Sequence, residues 1–140
     1  MRRPDFLAFA VMLLAGAIAL AAAEPARFVR AINLNGPALT IDGRAWEAGA
    51  TAADFKTTGK MFANQRVALK PPTDAARGDM IRSSVWGAKV DLEVGGLAAG
   101  PHQVVLWVWE DNHGEQFDLL VNGQVVLAKF HSGAAGMWKR

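Results

Sequence analysis

The run QFDLLVNGQVVLAKF, from Gln116 to Phe130, limits what this chain can become more than any other stretch. Two apolar segments flank Asn122-Gly123, the residue pair that most readily takes the two positive φ values of a type I′ turn. Such a turn joins neighbouring antiparallel strands, so the stretch predicts a β-hairpin. In regular register Val121 faces Gln124, Leu119 faces Val126 and Phe117 faces Ala128, which makes a consistent cross-strand column.

Period-two alternation recurs along the chain. FVRAINL puts Phe28, Arg30 and Ile32 on one face, ALTI follows across Gly36-Pro37, and Asp42-Gly43 is a second turn pair. KVDLEV predicts a half-buried strand with Val90, Leu92 and Val94 inward. HQVVLWVW, from His102 to Trp109, is apolar on both faces and predicts a central strand covered on both sides. The middle, Ala48 to Gly87, is loop-rich, with one helical turn expected in TDAARGDMI, capped by Thr73 or Asp74. No repeat is visible, and no helical period outlasts two turns. The expected class is all-β, a jelly-roll-type sandwich. GAAGMWKR reads as a loop that opens a new strand at Met137. A two-sheet sandwich needs its last strands to avoid open edges, so the expectation is a domain over residues 24–140 that is C-terminally incomplete or completed by another segment.

The first residues are read differently. Arg2 and Arg3 precede the uncharged apolar run Phe6 to Ala23, which ends in small residues before Glu24. That order describes an export signal over residues 1–23, cleaved near Ala23. The alternative is an uncleaved anchor, because about 18 apolar residues can just span a bilayer. The expected location is therefore secreted, periplasmic or at the cell envelope. The formal net charge of +2 falls to +1 without Arg2, Arg3 and Asp5. The remaining basic residues are scattered, which argues against a nucleic-acid partner. With no cysteine in the chain, an exported domain must be held by its core rather than by disulfides.

The richest cluster of functional groups is WEDNHGEQ, with Glu110, Asp111, Asn112, His113 and Glu115 nearly consecutive between two apolar strands. A metal site wants such donors to converge, and oxygen-rich donors favour calcium over zinc. A polar loop between strands explains the same composition without an ion, and no metal or cofactor is expected. A glycosidase needs two acids across a cleft, and Glu47, Asp54 and Asp79 are further candidates that spacing does not place. Ser83, Ser84 and Ser132 lie in no nucleophile elbow, and GGLAAG lacks the Lys-Ser/Thr of a phosphate loop. The expectation is a protein that is not an enzyme.

Five tryptophans and seven phenylalanines occur without a tyrosine. Trp107 points with Val105 and Trp109 toward a core. Trp46, Phe55, Trp86 and Trp138 stand at strand ends or in loops. There a ring either plugs the end of a sandwich or stacks on the C–H face of a sugar.

RAINLNGPALTIDGRAWEA, from Arg30 to Ala48, resembles the opening of malectin and malectin-like domains, through Asn33, Gly36-Pro37, Asp42-Gly43 and Trp46-Glu47. HQVVLWVWE is similar to a strand of that family ending in an aromatic, a small residue and Glu, with Trp109 where the small residue is expected. EQFDLLVNGQVV resembles its FDxxxNGxxV element through Phe117, Asp118, Asn122 and Gly123. The resemblance spans about Phe28 to Arg140. It implies a jelly-roll sandwich that binds a glucan-like carbohydrate without catalysis. By the same resemblance Phe55 stands where a binding tyrosine is found. Arg82, with Trp86, lies in the segment MIRSSVWG that replaces a binding segment of the family, and Asp111, Asn112 and His113 fill the loop that carries an aromatic pair. The family's last acidic ligand would lie beyond Arg140. The alternative expectation is an assembly module that takes a protein partner along an open sheet edge near the C-terminus.

Overall fold

The computed structural model describes residues 27–140, so the expected export signal over residues 1–23 lies outside the described residues. The chain forms β1 (Ile32–Asn33), β2 (Leu39–Ile41), β3 (Arg44–Ala48), β4 (Phe55–Thr57), β5 (Lys60–Ala63), α1 (Ala75–Ile81), β6 (Ser83–Trp86), β7 (Leu92–Val94), β8 (Val108–Trp109), β9 (Gln116–Val121), β10 (Gln124–His131) and β11 (Trp138–Lys139). The described residues form an all-β fold with one short helix. The strands pair as a three-stranded sheet, β1-β3-β2, and four two-stranded sheets, β4-β7, β5-β6, β8-β11 and β9-β10. Among the described residues no helix is long and apolar enough to cross a membrane.

Both turn pairs fold as their composition requires. Asp42 (φ 52°) and Gly43 (φ 70°) join Ile41 to its partner Arg44, and Asn122 (φ 50°) and Gly123 (φ 77°) join Val121 to Gln124. Two successive positive φ values match the right-handed twist of the flanking strands, and Asn, Asp and Gly reach them at least strain. The register beyond the second turn differs from the regular column. Leu119 pairs with Leu127 instead of Val126, and Phe117 pairs with Phe130 instead of Ala128. Irregularities after Val125 and after Leu127 shift the pairing. Near the second, Lys129 takes φ 53° and donates its N–H to the Asp118 carboxylate at 2.7 Å. A side chain thus stands in for a ladder carbonyl at the irregularity.

The core is small. Ile41, Leu69, Met80 and Ile81 are buried, and Leu39, Trp46, Trp107, Trp109 and Trp138 pack against them. It sits where the β2–β3 hairpin, α1 and the β8–β11 pair meet. Trp107 stacks on Trp138 with centroids 5.3 Å apart and meets the edge of Trp46 at 6.3 Å. The Trp138 indole donates to the Pro71 carbonyl at 2.8 Å and that of Trp109 to the Ser84 hydroxyl at 3.0 Å, so the polar tips of both half-buried rings are satisfied. Helix α1 starts at Asp74, whose carboxylate accepts the Arg77 N–H at 2.9 Å, an N-cap.

Two expected strands are shorter and more open than their apolar pattern implies. The stretch from His102 is a strand only at Val108–Trp109, and Val104 is 70% exposed rather than covered. The KVDLEV strand is confined to Leu92–Val94, and both Leu92 and Val94 are exposed. In each case the alternation marks side chains fit for burial, but no layer of the described chain lies over them.

Candidate functional site

The acidic stretch after β8 is built around a carboxylate that turns inward. Glu110 is only 6% exposed. Its main chain bonds both ways to the segment before β11: its N–H donates to the Met137 carbonyl at 3.0 Å, and its carbonyl accepts from Gly136 N–H at 2.8 Å. Its Oε2 accepts the Ser132 hydroxyl at 2.6 Å and its Oε1 accepts the Asn112 N–H at 3.2 Å. The Ser132 oxygen in turn accepts the Glu115 N–H at 2.7 Å. A buried carboxylate is tolerated when donors surround it in this way. Glu110 is therefore a clasp that ties the loop to β10 and β11.

The residues after it face outward to different degrees. Asp111 is half-buried and its Oδ2 accepts from the Asn64 side-chain amide at 3.3 Å. Asn112 and His113 are exposed, with His113 Nε2 3.3 Å from Glu115 Oε1. Among the described residues no three of His, Asp and Glu converge as a metal site. Of the other acids, Glu47 is held by Arg30 in a two-pronged pair at 2.9 and 2.7 Å. The same guanidinium bonds the carbonyls of Ala53 and Gly95, so Arg30 and Glu47 knit three chain segments together.

Asn64 is the residue that sequence reasoning misses. It follows β5, its N–H donates to the Arg82 carbonyl at 3.1 Å, and its side chain reaches Asp111. It thereby joins two segments that carry expected site residues. No local pattern signals such a role for an asparagine 47 positions from its partner. Arg82 itself turns inward: its Nε donates to the Val67 carbonyl at 2.7 Å, and Nη1 stands 4.0 Å from Asp79.

The aromatic candidates separate. Trp86 ends β6, pairs with Lys60 of β5, and is 55% exposed, with the Lys60 ammonium 5.5 Å from its ring centroid. Trp46 and Trp138, the other loop or strand-end tryptophans, pack on the core. Phe55 is half-buried in a different sheet, opposite Val94. Arg82 lies four positions before Trp86, about 13 Å along an extended strand. The β5–β6 pair thus carries an exposed ring at one end and the Arg82–Asn64–Asp111 linkage at the other.

Asn33, from the motif that carries the family resemblance, is architectural. It is 2% exposed and its side-chain amide donates to the Pro37 carbonyl at 2.9 Å, closing the turn around Gly36. A Cβ at Gly36 would lie 2.2 Å from that amide nitrogen, so any other residue there must displace the Asn33 side chain. The Asn33 Oδ1 is buried without a partner among the described residues, a deficit of about 1–3 kcal/mol.

No family model, curated protein or solved structure matches this chain.

Proposed function

We propose that this chain is a non-catalytic carbohydrate-binding module of malectin-like, jelly-roll type, exported to the envelope or beyond it. The observation that carries the reading is Trp86. It is the exposed member of five tryptophans, the other four being packed against the core. A fixed indole open to solvent is the surface on which a pyranose C–H face stacks. The hydroxyls of the same ligand would meet Asp111, Asn112 and His113, with Arg82 holding the scaffold behind them; Phe55, in the separate β4–β7 pair, would be at most a further stacking surface. The separation along β6 favours a glucan-like oligosaccharide over a single sugar. Calorimetric titration with gluco-oligosaccharides tests this. Binding by the wild type, weakened several-fold in Trp86→Ala for a stack of about 0.5–1.5 kcal/mol, supports it. Unchanged affinity in Trp86→Ala, or no heat with any glycan, refutes it.

A second reading, assembly through a sheet edge, has its own support. The β9–β10 hairpin pairs with no third strand among the described residues, and Leu120, Val121, Val125, Val126 and Leu127 are exposed on it. An apolar β surface of this kind accepts a strand or sheet face from a protein partner.

A further inference from the structure

A cleft of about 590 Å³ opens between the β1–β2 connection, α1 and the start of β6. Its volume falls within the range of about 300–1,000 Å³ typical of small-molecule sites. Leu39 and Met80 supply apolar wall, and Asn33, Asn35, Gln65 and Ser83 supply polar wall. One N–H of each amide on that wall is already engaged. The side-chain amides of Asn33, Asn35 and Gln65 donate to the carbonyls of Pro37, Phe62 and Asp79 at 2.9, 3.0 and 3.3 Å. The Ser83 hydroxyl donates to the Asn35 carbonyl. The amide oxygens of Asn35 and Gln65 accept no hydrogen bond from the described residues, and Asn33 Oδ1 is buried unpaired. The wall therefore keeps a second N–H on each amide beside its open acceptor oxygens, and a ligand that fits must both donate and accept. Asp79 carries the one formal charge on the wall, and Arg82 Nη1 lies 4.0 Å from it. That pairing offsets part of the carboxylate's charge, and a neutral molecule whose groups both donate and accept is the complement of the wall.

We propose that this cleft binds a small neutral polyhydroxylated molecule, a sugar ring or cyclitol. Its hydroxyls donate to the amide oxygens of Asn35 and Gln65 and to Asp79, and its C–H face rests on Leu39 and Met80. The site stands apart from the Trp86 surface and does not rest on it. Proton–nitrogen correlation spectra of the protein, titrated with glucose, myo-inositol and the diamine putrescine, test the assignment. Saturable shifts of the Asn35 and Gln65 side-chain amides with a polyol, and none with putrescine, are expected. Ala76→Trp fills the cleft from the exposed first turn of α1 without removing any of these bonds, and should weaken polyol binding about tenfold. Should that variant not fold, Gln65→Met keeps the side-chain size, removes one acceptor, and should weaken binding several-fold. Trp86→Ala should leave the polyol-induced shifts of the Asn35 and Gln65 amides unchanged, whatever it does to sugar binding at the Trp86 surface. No amide shifts with either polyol, shifts equally strong with putrescine, or full affinity in the folded cleft variant would each overturn the proposal. Loss in Trp86→Ala alone would overturn the cleft while leaving the Trp86 surface intact.

Discussion

Ser132 is almost wholly buried and gives its only hydroxyl proton to the Glu110 carboxylate. Removing it leaves a buried anion short of a donor, so Ser132→Ala should lower unfolding stability by about 1–3 kcal/mol, measured in urea. Combining Ser132→Ala with Glu110→Gln should be less damaging than the sum of the two, because each alone breaks the same contact. A fully additive pair would show that the clasp does not act as a unit. Asp74 offers a contrast at the surface. The Arg77 backbone N–H, and then the Arg77 charge, hold its carboxyl below the ordinary value of 3.8. Folding lowers this pKa, so its contribution is complete above that value and is lost as pH falls through the folded one. Asp74→Asn keeps an oxygen to cap α1 but cannot titrate. Its stability should therefore fall less steeply than the wild type's as pH drops below the ordinary value of 3.8. Parallel acid limbs would count against the cap as the source.

Among the elements, the β9–β10 hairpin rests most heavily on its turn. Gly123 at φ 77° can be replaced only at a strain of about 1–2 kcal/mol. Gly123→Ala should lower the melting temperature by several degrees, and an unchanged melt would show that the turn does not limit the hairpin. This turn was legible from Asn122-Gly123 because two residues set its backbone. The pairing beyond it was not, because period-two reasoning assumes an unbroken ladder. The bond from Lys129 to the Asp118 side chain is invisible to alternation. The α1 cap was legible for the same local reason as the turn. The Arg30–Glu47 clamp and the Asn64 linkage were not, because each joins residues far apart whose types suit many roles. The candidate site was legible only in part. Asp111, Asn112 and His113 lie in the expected loop, but spacing could not say that Glu110 faces inward, that Arg82 binds a carbonyl, or that Trp86 stays outside while Trp46 and Trp138 do not.

For the molecule as a whole, the balance between buried and open apolar surface sets its behaviour. Among the described residues four hydrophobic side chains are buried, while the hairpin and the stretch through Val104 and Val105 keep theirs in solvent. Surface of this kind is removed from water at about 25 cal/mol per Å², which favours association. Light scattering should show a mass that rises with concentration, and Leu120→Lys with Val126→Lys should hold the protein monomeric. A monomer at every concentration in the wild type would count against the exposed hairpin as a docking face.

The stacked pair Trp107 and Trp138 has a consequence of another kind. Indoles 5.3 Å apart and inclined by 21° couple their electronic transitions. Trp138 belongs to β11, and Trp107 directly precedes β8, to which β11 pairs. Undocking of the C-terminal segment would uncouple the two chromophores and erase their far-ultraviolet exciton couplet, even with the rest of the chain intact. The protein thus carries its own label-free optical gauge of strand docking at that end.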